Sequence, residues 1–210
     1  MADLNSRKNS TYVVLGIGVA FVAIILFQFF SLQNPSTYET QIQKLRADKD
    51  LEFRNSPDSP IEKAKRPNFE GIRYFPIQQS YVVEATLDPP AKKDTVQMMT
   101  STGKEYFLSL AGMLSFELQG TTQKLIAYRY VDVKRQALFV PFFDLTNGSS
   151  TYGGGRYLEV PYNESSTVTL DFNRAYHPYC VYSEDFTCPI PPRENRILLE
   201  IRAGELMPKE

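Results

Sequence analysis

The chain has 210 residues and a mass of 24.0 kDa, which leaves room for one domain and an appendage but not for two independent enzymes. Lys and Arg total 23 against 24 Asp and Glu, a formal charge of -1, so nothing in the overall electrostatics attracts nucleic acid. Tyr (13) and Phe (14) are abundant and Trp is absent, a composition that favours strands over helices.

Tyr12 to Phe30 is apolar except for Gln28 and two glycines, Gly16 and Gly18, with Thr11 and Ser31 beside it. At 1.5 Å per residue such a run reaches roughly 28 Å, close to the hydrocarbon thickness of a bilayer, and it has no polar face for a soluble helix to turn outward. Arg7 and Lys8 precede it and no Lys or Arg follows until Lys44, which predicts an uncleaved signal anchor. Residues 1–11 are then a cytoplasmic tail, 12–30 the transmembrane helix, 31–58 a helical linker and 59–210 an extracytoplasmic, periplasmic domain beyond the inner membrane. The linker is a helix over Ser36 to Arg54, with Tyr38, Ile42 and Leu45 on one stripe. Ser59-Pro60-Ile61-Glu62 has the form of a capping box and predicts a second short helix ending at Pro67.

From Gly71 the hydrophobic period becomes two. Strands are predicted at Ile72 to Ile77, Tyr81 to Leu87, Thr95 to Thr100, Glu105 to Leu110, Leu114 to Leu118, Lys124 to Val131, Ala137 to Leu145, Tyr157 to Tyr162, Thr167 to Phe172 and Leu198 to Arg202. Turn residues separate them, and no long helix intervenes. The fold class is therefore all-β, an antiparallel sandwich or a partly open barrel.

Chemistry concentrates between Leu170 and Arg196, which holds the only His, both Cys and a dense set of Tyr. A loop of this length is uncommon in a compact domain unless it is functional or disordered. Export of Cys180 and Cys188 to an oxidising space predicts a disulfide that closes a loop of about nine residues and contributes roughly 2.5 kcal/mol. His177 with the two Cys matches no standard zinc spacing, so neither metal nor cofactor is expected. Tyr152, Arg156, Asp171, Asn173, Arg174, Tyr176, Asn195, Arg196 and Glu205 come from separated stretches and are predicted to converge on one cleft beneath the loop. Several Arg arriving together exceed what turns require, which points to a small anionic or hydroxyl-rich ligand, or a protein partner. The alternatives are a hydrolase using Asp171, Glu205 and Arg174, or a structural envelope protein.

Tyr-Gly-Gly-Gly-Arg-Tyr-Leu from Tyr152, Leu-Asp-Phe-Asn-Arg-Ala-Tyr from Leu170, Cys188-Pro189, Glu194-Asn195-Arg196 and Arg202-Ala203-Gly204-Glu205 together resemble the bacterial and archaeal family called domain of unknown function 1684. The likeness reaches upstream through Lys49-Asp50, Phe53, Ser59-Pro60 and Tyr74-Phe75. It implies no activity, because the family has no established biochemical role. His177 departs from the residue expected in relatives, which argues against an essential histidine.

Overall fold

The computed structural model describes residues 37–92, 94–131 and 136–208. A compact unit spans Ile42–Glu210. Among the described residues no helix is long and apolar enough to cross a membrane, and the Tyr12 to Phe30 run lies outside them.

Among the described residues there is one α-helix, α1 (Thr37–Asn55), where a helix was predicted over Ser36 to Arg54; its buried residues are Ile42 and Phe53. Seven strands follow: β1 (Val82–Asp88), β2 (Thr95–Met98), β3 (Tyr106–Leu118), β4 (Thr121–Tyr130), β5 (Ala137–Phe142), β6 (Arg156–Pro161) and β7 (Thr167–Asp171). They form one antiparallel sheet in the order β6-β5-β4-β3-β1-β7, with β2 also pairing β3. The sheet curls on itself as a half-barrel. Its far edges approach where Tyr157 in β6 bridges Tyr176, just beyond β7, through two backbone hydrogen bonds of 2.9 and 3.0 Å. The half-barrel agrees with the partly open barrel rather than the sandwich.

Leu114, Phe116 and Leu118 of β3 alternate inward with Leu125 and Ala127 of β4 and Val168 and Leu170 of β7, giving the main core. Strand β5 is buried on both faces. Leu138, Val140 and Phe142 enter the main core, while Phe139 joins Met98, Leu108, Tyr128 and Tyr157 in a second cluster behind the sheet. The Leu170 to Arg196 loop is tied down over β2 and β6: the Tyr157 hydroxyl donates to the Pro189 carbonyl, and the Ile190 N–H to Met99 at 2.7 Å.

Several predicted elements differ. Glu105 to Leu110 and Leu114 to Leu118 are one strand, its register shifted between Leu110 and Gly112. This bulge needs glycine: Gly112 has φ +148°, and a Cβ there would lie 2.3 Å from the Asp88 carbonyl oxygen. The turn after Leu118 sharpens to two residues, with Gln119 and Gly120 both at positive φ, matching the twist of a tight hairpin. Ser59 begins no helix. Its hydroxyl accepts the Ile61 N–H at 3.0 Å and donates to the Phe53 carbonyl, folding the chain under α1. Ile72 to Ile77 makes an isolated bridge, Tyr74 to Glu205, and no ladder, while backbone groups of Leu198 to Arg202 are taken by the side chains of Arg156, Asp144 and Tyr81.

Candidate functional site

Arg156 opens β6 and is fully buried. Its Nη2 donates to Asp144 Oδ2 and to the Ile201 carbonyl, both at 2.8 Å, and its Nη1 donates to the Ala203 carbonyl at 2.5 Å. The guanidinium lies 5.5 Å from the Phe142 ring centroid. Asp144 is equally enclosed, accepting from Thr146 N–H and hydroxyl and from Ile201 N–H. Burial lowers the Arg156 pKa while the neighbouring Asp144 holds it up. Asn195 works similarly, exchanging hydrogen bonds with the Ile126 backbone and donating to Pro141. Together they draw the C-terminal segment onto the sheet, seating Ile197, Ile201 and Ala203 in the main core.

That segment and α1 wall a cleft of about 400 Å³. Ile42, Leu45, Arg46, Lys49 and Glu52 line it from the helix; Tyr74, Glu159, Arg174, Tyr176 and Glu205 line it opposite. Phe53 holds the helix in place, enclosed edge-on by Tyr179 and Tyr182 at 5.6 and 5.1 Å. At the cleft floor Lys49 Nζ donates to Glu205 Oε1 at 2.6 Å and sits 4.6 Å over the Tyr176 ring. Glu205 Oε2 accepts the His177 N–H at 2.8 Å. Beyond it, His177 Nε2 accepts the Tyr152 N–H at 3.3 Å, which assigns the ring proton to Nδ1, 3.8 Å from Glu205. Burial, then the Arg156 and Lys49 charges, pull the His177 pKa down to about 3. Glu159 accepts from the hydroxyls of Tyr130 and Tyr176, and burial followed by Glu159 keeps Tyr176 protonated.

Arg46 lies 4.3 Å over the Tyr74 ring and donates to the Phe75 carbonyl. Arg174, at the cleft rim, is exposed and makes no hydrogen bond or ion pair with any described residue.

The nine predicted ligand residues therefore do not converge. Asn173, Arg174, Tyr176 and Glu205 reach the cleft. Arg156 and Asn195 lie inside the fold instead, hydrogen-bonded to backbone groups and, for Arg156, to the buried Asp144 carboxylate. Arg196 is exposed and stacks on Phe143 at 4.8 Å. Asp171 caps a short turn by accepting the Asn173 N–H at 3.0 Å and does not line the cleft, which separates it from Glu205 in the hydrolase arrangement. Tyr152 faces Cys180. Cys180 and Cys188 are free thiols here, with the Cys180 N–H donating to Cys188 Sγ at 3.3 Å. The glycines after Tyr152 turn the chain into β6, with Gly155 N–H bonded to the Tyr152 carbonyl. Among the described residues no cluster of three or more His, Cys, Asp or Glu is placed to hold a metal ion. Sequence reasoning missed the helical wall, above all Lys49 and Arg46. The one pointer in the sequence was the resemblance read at Lys49-Asp50 and Phe53, three residues of this helix.

The fold and cleft define an antiparallel half-barrel with a helix closing one side. The family model described as protein of unknown function (DUF1684) matches residues 67–206, and the chain belongs to that family. The solution NMR structure of an uncharacterized protein from Haloarcula marismortui is similar, with 39% sequence identity and a TM-score of 0.66, covering 80% of this chain and 94% of that one. No curated protein matches the chain.

Two outcomes follow from these contacts. Arg156→Ala strands the buried Asp144 carboxylate and is expected to cost about 3 to 5 kcal/mol, whereas exposed Arg174→Ala stays within about 0.5 kcal/mol. Denaturant titration of both variants checks this, and equal losses would refute the division into tie and handle. His177 has its folded pKa below the unfolded value near 6.5, so the unfolded chain binds the extra proton between about pH 6.5 and 3. Its contribution is complete above pH 6.5 and declines by up to about 1.4 kcal/mol per pH unit as the pH falls towards 3. His177→Asn should flatten that part of the stability profile relative to wild type; parallel profiles would show that the imidazole does not titrate in this way.

Proposed function

We propose that this protein is a binding module for small organic acids, held at the membrane surface by Tyr12 to Phe30 with the β-domain on the extracytoplasmic side. The observation that carries the ligand reading is Arg174, a guanidinium without a protein partner among the described residues, at the rim of a cleft with an aromatic wall. Its volume of about 400 Å³ falls within the roughly 300 to 1,000 Å³ of small-molecule sites. Ile42 and Leu45 offer apolar surface to the body of the ligand, while Tyr176 and Tyr74 form aromatic walls already covered in part by Lys49 and Arg46. An acid group meets Arg174 in bidentate fashion, a geometry that a planar guanidinium provides and Lys does not. Glu205 is satisfied by Lys49 and the His177 N–H, which supports a holding role for the floor over an acid-base one. The anchor rests on the apolar run and on the placement of Arg7 and Lys8 before it.

Thermal unfolding of the full-length protein in detergent, against a panel of mono- and dicarboxylic acids and their neutral amides, tests the ligand. A binding acid at 100 times its Kd stabilises by about 2.7 kcal/mol and raises the Tm, the matching amide does not, and Arg174→Ala abolishes the rise. Equal responses to acid and amide, or an undiminished response in the variant, would sink the reading. For the anchor, the full chain should remain with membranes after an alkaline wash and be released by detergent, while a chain lacking residues 1–33 stays in the supernatant. Release of the full chain by the wash alone would count against a span.

A further inference from the structure

The Cys180 and Cys188 thiols are not equivalent. Cys188 is buried and fixed from both sides: its N–H donates to the Ser101 hydroxyl at 3.2 Å, its carbonyl accepts the Ser101 N–H at 2.9 Å, and Pro189 after it bridges Thr100. Cys180 is partly exposed, on a short turn over Tyr179–Val181, with the hydroxyls of Ser101 and Tyr152 beside its sulfur. The Cys180 N–H reaches Cys188 Sγ at 3.3 Å, so the second sulfur already lies against the first residue's backbone. Nothing else in the cluster needs two thiols. A packed core satisfies one buried Cys with apolar neighbours, whereas here two are set face to face among hydroxyl donors, one open to solvent and one held behind it.

We propose that Cys180 and Cys188 form a dithiol redox site for hydroperoxides, in which Cys180 is the attacking sulfur and Cys188 the resolving one. In the first step the Cys180 thiolate attacks the terminal oxygen of the hydroperoxide. An S–O bond forms, the O–O bond breaks, and the leaving oxygen takes up a proton and departs as alcohol or water. In the second step Cys188 Sγ attacks Cys180 Sγ. The S–S bond forms, the S–O bond breaks, and the hydroxide leaves as water with the Cys188 proton. Two thiols and one hydroperoxide become one disulfide, one alcohol and one water, with two electrons passing from sulfur to oxygen.

The electrostatics follow the same order. Hydrogen bonding from Cys188, with Ser101 and Tyr152 adding to it, outweighs burial and lowers the Cys180 pKa. The reciprocal bond to Cys180, together with burial, raises that of Cys188. The more exposed sulfur is thus the better thiolate. This assignment concerns the order of attack and is independent of what occupies the cleft.

The test uses full-length protein in detergent, reduced with dithiothreitol, freed of reductant and exposed to hydrogen peroxide. Intact mass should fall by two hydrogens and recover with reductant. With dimedone present, Cys188→Ser should carry one adduct, at Cys180, and Cys180→Ser should label at least about tenfold more slowly. Wild type given substoichiometric peroxide with dimedone provides a reading that depends on no variant: peptide mapping should place the adduct on Cys180. Adducts on Cys188, equal labelling of the two positions, or thiols that survive excess peroxide would overturn the proposal. So would a preformed disulfide that dithiothreitol fails to open without unfolding, because the bond would then be a permanent staple.

Discussion

The buried pair of Arg156 and Asp144 is the constraint on which this fold turns. A half-barrel leaves one side of its core open, and here that side is covered by residues 195–206, a segment with almost no regular structure of its own. Such a segment has carbonyls that no strand will satisfy, and burying them unpaired would cost about 1 to 3 kcal/mol each. The Arg156 guanidinium supplies the missing donors, taking the Ile201 and Ala203 carbonyls in one fork. Asp144 then compensates the charge that this solution brings inside. Neither residue is tolerable in the core without the other.

The cleft is a consequence of the same arrangement. Once the C-terminal segment is fixed, Glu205 arrives beneath α1 with its backbone already bonded, the N–H to the Ala175 carbonyl, and its carboxylate can reach both Lys49 and the His177 backbone. The helix is held by this ion pair, by Asp50 accepting the Ile72 N–H at 2.8 Å and by the aromatic enclosure of Phe53. It binds along this one line and stands away above it, which leaves Leu45 exposed and an opening between helix and sheet. The buried Arg156 and Asp144 pair and the cleft thus share one wall, the C-terminal segment that ends in Glu205.

The Leu170 to Arg196 loop connects the two regions. Its first turn carries Arg174 and Tyr176 to the cleft, its middle passes Tyr179 and Tyr182 around Phe53, and its end lays Cys188 and Pro189 along β2. A loop of this length stays ordered because it is anchored by Asn195, the Tyr157 hydroxyl and the Ile190 N–H at separate points. Its aromatic content is accounted for largely by packing.

Local pattern determined the strands and α1. The alternation of Leu114, Phe116 and Leu118 or of Val168 and Leu170 is a statement about two faces, and it holds wherever the neighbours lie. The turn cap at Asp171 is equally local, its partner two residues away, although sequence reasoning placed Asp171 in the cleft. What the polar residues do was not legible. An Arg in a sequence reads the same whether it will be sealed in a core like Arg156 or left at a rim like Arg174, because the difference lies in groups some 45 residues away in the chain. The Leu198 to Arg202 stretch has a strand's composition, but the donors and acceptors that decided its form belong to Arg156 and Asp144. Tertiary structure alone brought Lys49 to Glu205 across 156 residues of chain, and with that contact the helix became a wall of the cleft. Periodicity records which side of an element is buried; only the folded chain decides which buried charge meets which.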